Sequence, residues 1–492
     1  MAQSYFQAFD PKLQEAGQPV PPLGSLIAAA VLRDRGFDVA FFDAMLASCE
    51  AECGALMDRV RPAALVIFED NFNYLSKMCL GRMRQAAARM IGMARDREVV
   101  VVVAGSDASD DPAFYLRAGA SAVARGEGEI TVAEWLETRS VVPGIVTLQE
   151  DGSLSHAPAR PPIREVDSLP SPAWELIDLP RYRNAWMARH GSFSLPLATS
   201  RGCPFHCNWC AKPIWGQRYN AMSPLRAARE VVALKAKGAT HVNVLDDIFG
   251  LRSEWLETFG EELRRLGSVL PFKCLSRADL LSARAITALA SAGCEMVWIG
   301  AESGSQKVLD AMEKGTTVWM IREAAARLRT AGVRIGLFIQ FGYPGETRED
   351  IAATIELIED VLPDDIGVSV SYPLPGTRFH DRVRHEMGNR RHWDDSSDLA
   401  MLFGGLHGTR FYRCLHTYAH ARFRLARALR CRDRNFAARC AQIVRYGVTR
   451  SVAAFFLALA GRDRLQMRAL APQLSRGAAA TPAFDAVAPG EP

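Results

Sequence analysis

Several features that would narrow the chain by composition are missing. The first residues carry no basic stretch followed by an apolar core, so no secretory leader is expected. The longest apolar run near the end, Val452 to Gly461, is too short to span a bilayer. A net charge of +4 over 492 residues is too small to make nucleic acid or an anionic membrane the principal partner. The 11 cysteines are an odd number without regular spacing outside one central loop, which excludes a disulfide framework. They point instead to a reducing compartment, and the cytoplasm is the expected location. There is no internal repeat beyond successive strand–helix units.

What is present is an ordinary globular composition, 49% hydrophobic and 23% charged, in a chain long enough for two or three domains. One stretch stands out: Cys203-Pro-Phe-His-Cys207-Asn-Trp209-Cys210, between Thr199-Ser200-Arg201-Gly202 and Ala211-Lys212-Pro213. Three soft thiolates on one short loop suit an iron-sulfur cube with one iron left open. A closed zinc site would need a fourth ligand, and the local candidate, His206, is squeezed between two of the cysteines. A ferredoxin-type carrier would need a fourth cysteine in series, whereas Cys274 lies on another element. The open iron, free to bind a small molecule, is the sharper reading.

Around this loop the chain reads as α/β throughout. Residues 1–140 alternate strand candidates (Asp38 to Phe42, Ala64 to Phe68, Val99 to Ala104, Ser121 to Ala124) with helix candidates (Leu23 to Arg35, Leu75 to Ala94, Asp111 to Ala118). That pattern predicts a doubly wound, Rossmann-like parallel sheet with ligands at the carboxyl ends of its strands. At those ends stand Pro21-Pro22-Leu23-Gly24, Gly105-Ser106-Asp107-Ala108-Ser109 and Gly126-Glu127-Gly128-Glu129. Glycine there lets backbone approach a ligand closely, although it is equally common turn chemistry. Residues 141–190 read as a hairpin turning at Asp151-Gly152 followed by a proline-rich connector.

From 191 to 375 six strand–helix units predict a partial (β/α)6 barrel whose loops after the strands hold the chemistry. The strands are Ser192 to Ala198, His241 to Leu245, Phe272 to Leu275, Met296 to Ile299, Val333 to Phe341 and Ile366 to Tyr372. Their ends carry Asp246-Asp247, Ser276-Arg277, Glu302-Ser303-Gly304 and Gly342-Tyr-Pro-Gly-Glu346. Any one of these could be a cap or a turn; their joint placement on the rim of the cysteine loop argues for a site. Residues 376–475 read as helical, with a crowd of arginines from Arg410 to Arg430 that fits a solvated helical face, and 476–492 as a disordered tail.

The cysteine spacing with Trp209 before its last cysteine resembles the radical S-adenosylmethionine (radical SAM) superfamily. The Pro-Pro-Leu-Gly, Gly-Ser-Asp-Ala-Ser and Gly-Glu-Gly-Glu segments ahead of it resemble that superfamily's cobalamin-binding branch. The resemblance implies a 4Fe-4S cluster on Cys203, Cys207 and Cys210. S-adenosylmethionine would chelate the open iron and be cleaved to a 5'-deoxyadenosyl radical. Its contacts would be Trp209, Asp246 or Asp247, Ser276, Arg277, Glu302, Ile339 and Gly342. It further implies cobalamin held by Pro22, Gly24, Asn71, Gly105, Ser106, Gly126, Glu127 and Gly128. The Asp-x-His-x-x-Gly motif that places a histidine under cobalt in cobalamin mutases is absent, so the face under cobalt would be open or lined by Glu69, Asp70 or Asn71.

The expected activity is methyl transfer to an unactivated carbon of a small-molecule or natural-product substrate, with flavodoxin or ferredoxin as external electron donor. The alternatives are an oxidative cyclase similar to the anaerobic magnesium-protoporphyrin ester enzyme and a non-catalytic corrinoid sensor.

Overall fold

The computed structural model describes residues 1–78, 80–210, 214–430, 440, 442–454, 457 and 458. The expected tail at 476–492 lies outside them, as do Ala211 to Pro213. Two compact units divide near Gly404, and the first carries both sheets.

The first sheet runs β1 (Ala64–Phe68), β2 (Val100–Ala104), β3 (Ala122–Ala124), β4 (Ile145–Leu148) and β5 (Leu154–His156) in that order. The first three are parallel, and β3–β4 and β4–β5 pair antiparallel. The hairpin at Asp151-Gly152 therefore extends this sheet rather than forming part of a connector. Asp38 to Phe42 does not form the expected strand. Phe42 and Ile67 each make a single parallel bridge to Ala2, which lies between them. The parallel order is thus Phe42, Ala2, β1, β2, β3, the flavodoxin-like order whose switch point falls between the amino-terminal segment and β1. Apolar β1 and β2 are buried on both faces, as parallel strands between helices must be.

Leu75 to Ala94 is not one helix. Tyr74–Met78 and Gly81–Arg95 are separate, with Leu80 extended at the N-cap of the second. The Gly81 N–H donates to the Trp393 carbonyl (2.6 Å), a partner more than 300 residues away that no local pattern encodes. Gly-Ser-Asp-Ala-Ser likewise opens a short helix, Ser106–Asp110, rather than a plain turn. The connector contains a helix, Leu179–His190, started by the Asp178 side chain with Pro180 in its first turn.

The second sheet holds β6 (Ser194–Leu197), β9 (His241–Val244), β10 (Phe272–Ser276), β11 (Cys294–Glu302), β12 (Arg334–Phe341) and β13 (Asp365–Val370). All are parallel and adjacent in chain order. This is the curled six-strand half-barrel that the strand–helix repeat predicts. A two-residue ribbon, β7 (Ser200–Arg201) with β8 (Asn220–Ala221), ties off the cysteine loop. In the second unit, Thr409–Arg430 forms one long helix. Among the described residues no helix is long and apolar enough to cross a membrane.

Candidate active site

The cysteine loop is held at both ends and in the middle. Asp246, buried just past β9, accepts from the Thr199 N–H, the Thr199 hydroxyl and the Ser200 hydroxyl, each at 2.6 Å. Burial pushes its carboxyl up to about 6 against the pull of those donors. Gly202 has φ +80°, and a Cβ there would sit 2.4 Å from the Arg218 carbonyl, so glycine alone fits. In the middle, the Asn208 N–H donates to the Met312 carbonyl (3.1 Å) and the Phe379 N–H to the Asn208 carbonyl (3.0 Å). The Tyr343 hydroxyl donates to Asn208 Oδ1 at 2.7 Å.

Cys203 and Cys207 are buried and Cys210 half-buried. Cys207 and Cys210 border a cavity of about 670 Å³ with His206, Pro375, Thr377 and, from the first sheet's side, Asp110. Arg277, at the end of β10, places Nη1 3.5 Å from Cys207 Sγ and its guanidinium 3.7 Å over the Phe205 ring. Asp279 (3.0 Å) and the Lys314 carbonyl (2.7 Å) lock it there. A second cation, Lys314, pairs with Glu302 at 2.8 Å, both nearly inaccessible, and lies 5.9 Å from the Trp209 ring. Burial lowers the Lys314 pKa, but Glu302 and Cys207 outweigh it and the net shift is upward. A bulge between Gly300 and Glu302 turns Glu302 to φ +62°, an uncommon conformation for a non-glycine residue that aims its carboxylate at this spot. The Trp209 indole N–H is buried without a hydrogen-bond partner.

These features fit a bound cluster and its ligand. Two cations beside the thiolates offset the charge of a thiolate-ligated cube, and the orphaned indole N–H waits for an acceptor. Among the described residues no three of His, Cys, Asp and Glu converge on a single ion position.

The other rim residues are distributed unevenly. Asp246 is committed to the loop's anchor, and Asp247 pairs with Lys77 of the first domain, which also lies 4.7 Å over the Trp215 ring. Ser276 and Arg277 end β10 on the cysteine side. Ile339 is fully buried, while its neighbour Phe338, on the opposite face of β12, is open. The Gly342 N–H donates to Glu346 Oε2 (2.6 Å), and burial holds that carboxyl up near 8. Sequence reasoning missed Lys77, Asn208 and Lys314. Asn208 sits inside the cysteine motif and could have been singled out; Lys77 and Lys314 follow no strand and carry no signal.

The second cluster of candidates lines the switch-point crevice of the first sheet. Asp70 Oδ1 accepts from the Gly24 N–H (3.0 Å), which brings the turn after Pro22 against the end of β1. The Ser106 hydroxyl lies 3.4 Å from Asn71 Oδ1, and the Gly126 N–H donates to the Ser109 hydroxyl (3.1 Å). Gly105 must be glycine because its Cβ would meet Glu69 Cβ at 2.8 Å. Glu127 departs from the group: it binds Arg201 Nη1 (2.7 Å) and the Ile163 N–H (3.0 Å), facing the barrel rather than the crevice. Gly128 packs on Phe68 and Ala104.

Glu69 and Asp70 are buried at the bottom of this crevice, raised by burial to about 7 and about 6, with Ser4 N–H and Gly24 N–H bonds pulling them back. Native Glu69 keeps its proton over a pH range in which the unfolded chain has lost it. Its contribution to stability is therefore complete below about pH 4.5 and gone above about 7. Glu69→Gln should raise the stability of the cofactor-free protein at pH 8 by on the order of 2–3 kcal/mol and leave it nearly unchanged at pH 4.5. Urea denaturation at the two pH values measures this, and a gain of equal size at both would refute it.

Residues 197–358 match the Radical SAM superfamily. These residues therefore form a radical SAM domain, and the two-sheet fold of the chain is similar to that of solved cobalamin-dependent radical SAM enzymes. It is 30% identical over 294 residues, 58% of its length, to an uncharacterized methyltransferase of Pyrococcus horikoshii, and spans 63% of that protein. The radical SAM methyltransferase TsrM from Kitasatospora setae, solved with cobalamin and a [4Fe-4S] cluster, aligns with a TM-score of 0.64 at 19% identity. That alignment covers 78% of this chain and 77% of TsrM. The cobalamin-dependent radical enzyme OxsB, solved with aqua-cobalamin, aligns over 93% of this chain and 71% of its own, with a TM-score of 0.71 at 14% identity.

Proposed function

We propose that the protein is a cobalamin-dependent radical SAM methyltransferase acting on an unactivated carbon of a small-molecule substrate. The observation that carries this reading is the cysteine loop itself. Cys207 and Cys210 border a cavity that Asp110 of the first domain also lines, two buried cations stand beside the loop, and the glycine-rich ends of the first sheet's strands at its switch point suit a corrinoid. Cys203, Cys207 and Cys210 would hold the 4Fe-4S cluster, and Trp209, Ser276, Arg277, Glu302 and Gly342 would receive S-adenosylmethionine. Gly24, Asn71, Gly105, Ser106 and Gly126 would approach cobalamin. Bound together, these groups supply radical generation at the cluster and methyl delivery at the corrinoid, chemistry that side chains cannot perform.

The chain's own residues then bind, orient and exclude water. Arg277 and Lys314 fix charge beside the thiolates, Asp246 and Asn208 fix the loop, and Lys77 with Asp247 joins the first domain to the barrel rim. An external flavodoxin or ferredoxin would supply electrons.

Anaerobically reconstituted protein, given S-adenosylmethionine with a deuterated methyl group and the extract of its own producing cells, tests the reading by mass spectrometry. Methyl transfer predicts 5'-deoxyadenosine, S-adenosylhomocysteine and a product carrying the labelled methyl. Deoxyadenosine with an unlabelled, oxidised product would replace the proposal with ring cyclisation. Bound corrinoid with neither nucleoside would replace it with a sensor.

A further inference from the structure

We propose that the concave face of the barrel sheet receives a flat, unsaturated ring of the substrate on a shelf formed by Trp298 and Phe338. This names a substrate class for the reading above and rests on it. Along β12 the residues Ile335, Leu337, Ile339 and Phe341 are at most 1% exposed, whereas Phe338 between them is 37% exposed. A strand alternates its faces, so Phe338 stands on the side away from the covering helices.

It is stacked on Trp298 with ring centroids 4.7 Å apart and planes 24° from parallel. The neighbouring strands carry glycine where side chains would otherwise crowd the two rings. A Cβ on Gly336 would be 2.3 Å from Trp298, and one on Gly367 would be 2.9 Å from Phe338 and 3.6 Å from Trp298. Glycine inside a strand weakens it and often marks a close approach by something else. Here two glycines on adjacent strands leave room for the stacked pair, whose more exposed member is Phe338.

The shelf adjoins the cluster side of the site. Gly300 pairs with Phe338 across β11 and β12, and a Cβ there would meet Glu302 Oε1 at 2.7 Å and Lys314 Nζ at 2.8 Å. Lys314 in turn lies beside the Trp209 ring. At the opposite, amino-terminal ends of the strands, His241 (3.1 Å) and Arg334 (2.7 Å) both pair with Glu295, near Lys273 and Asp365. That end is charged, so an apolar ring entering the barrel finds its complement at the aromatic pair. Stacking on an aromatic face tolerates any planar unsaturated ring and discriminates against a puckered saturated one.

The adenine of S-adenosylmethionine shares this chemistry, and the test separates the two. Protein loaded with cluster and cobalamin is dialysed to equilibrium against a naphthol, against its saturated counterpart, a decalol, and against S-adenosylmethionine. Phe338→Ala should weaken naphthol binding about tenfold while decalol and S-adenosylmethionine keep their affinities. Phe338→Tyr should retain naphthol, and Phe338→Leu, which preserves bulk without a π face, should lose it. Unchanged naphthol affinity in both Phe338→Ala and Phe338→Leu overturns the proposal. An equal loss for S-adenosylmethionine also overturns it, by making the shelf an adenine site. Formation of 5'-deoxyadenosine, assayed separately in the unsubstituted protein, reports on the functional reading independently of naphthol binding.

Discussion

Cys207→Ser should yield a folded protein that holds no intact iron-sulfur cluster and forms 5'-deoxyadenosine only at background, a loss of at least about a thousandfold. The thiol is buried, faces a cavity and has a guanidinium 3.5 Å from its sulfur. Iron-sulfur clusters require a soft sulfur ligand, and a serine hydroxyl is a harder, far weaker acid. The exchange is nearly isosteric, so stability should change little and the loss should be specific. Cys53→Ser is the control. That thiol lies in the core of the first sheet, where burial pushes it up to about 11. It should keep cluster, corrinoid and deoxyadenosine formation. Iron and sulfide content, the cluster's absorbance and chromatography of the nucleosides read all three. A Cys207→Ser protein that retains a full cluster and normal turnover would remove the loop from the chemistry altogether.

The barrel was legible in the sequence because each of its strands is a short apolar run followed by chemistry-bearing residues. The strand–helix spacing is regular enough that all six strands can be read from the chain. The cysteine loop was legible because its ligands are consecutive in the chain. What the sequence hid depends on partners far away. The break at Leu80 exists because Trp393 and Asp394 reach back to the start of the following helix. The strand expected at Asp38 to Phe42 is reduced to one bridge because its neighbour, the amino-terminal segment, contributes only Ala2. Asp246 and Asp247 looked equivalent as neighbours on one loop, yet one turns inward to Thr199 and the other outward to Lys77. The resemblance of the Gly-Glu-Gly-Glu segment makes Glu127 an expected ligand of the crevice. Its actual partner, Arg201, stands 74 positions away, beside the cysteine loop.

That pairing carries the largest expected effect on stability. Arg201 is 2% exposed, with Nη1 on Glu127 (2.7 Å) and Nη2 on Glu129 (2.8 Å). Removing one member of a buried ion cluster leaves uncompensated charge and typically costs about 3–5 kcal/mol. Arg201→Met should destabilise the cofactor-free protein by about that amount at pH 8. The sign of the pH dependence follows from Glu127, which burial already raises to about 7 although Arg201 pulls it down. Without the guanidinium its folded pKa climbs further. A carboxyl raised in the folded state is tolerated at low pH, where it is protonated, and costs stability as pH rises through its folded value. The penalty of Arg201→Met should therefore shrink at pH 5 and be largest at pH 8. Adding Glu127→Gln and Glu129→Gln removes the orphaned charges, and the triple variant should recover most of the loss at pH 8. Because Arg201 lies two residues before Cys203 and its partners belong to the other domain, the triple variant should be stable yet hold its cluster more loosely. Urea denaturation at both pH values, with iron retention after gel filtration, distinguishes these effects. A single variant that costs under about 1 kcal/mol at pH 8 would mean that water already reaches this group of charges and that the Arg201 pairs contribute little to holding the two domains together.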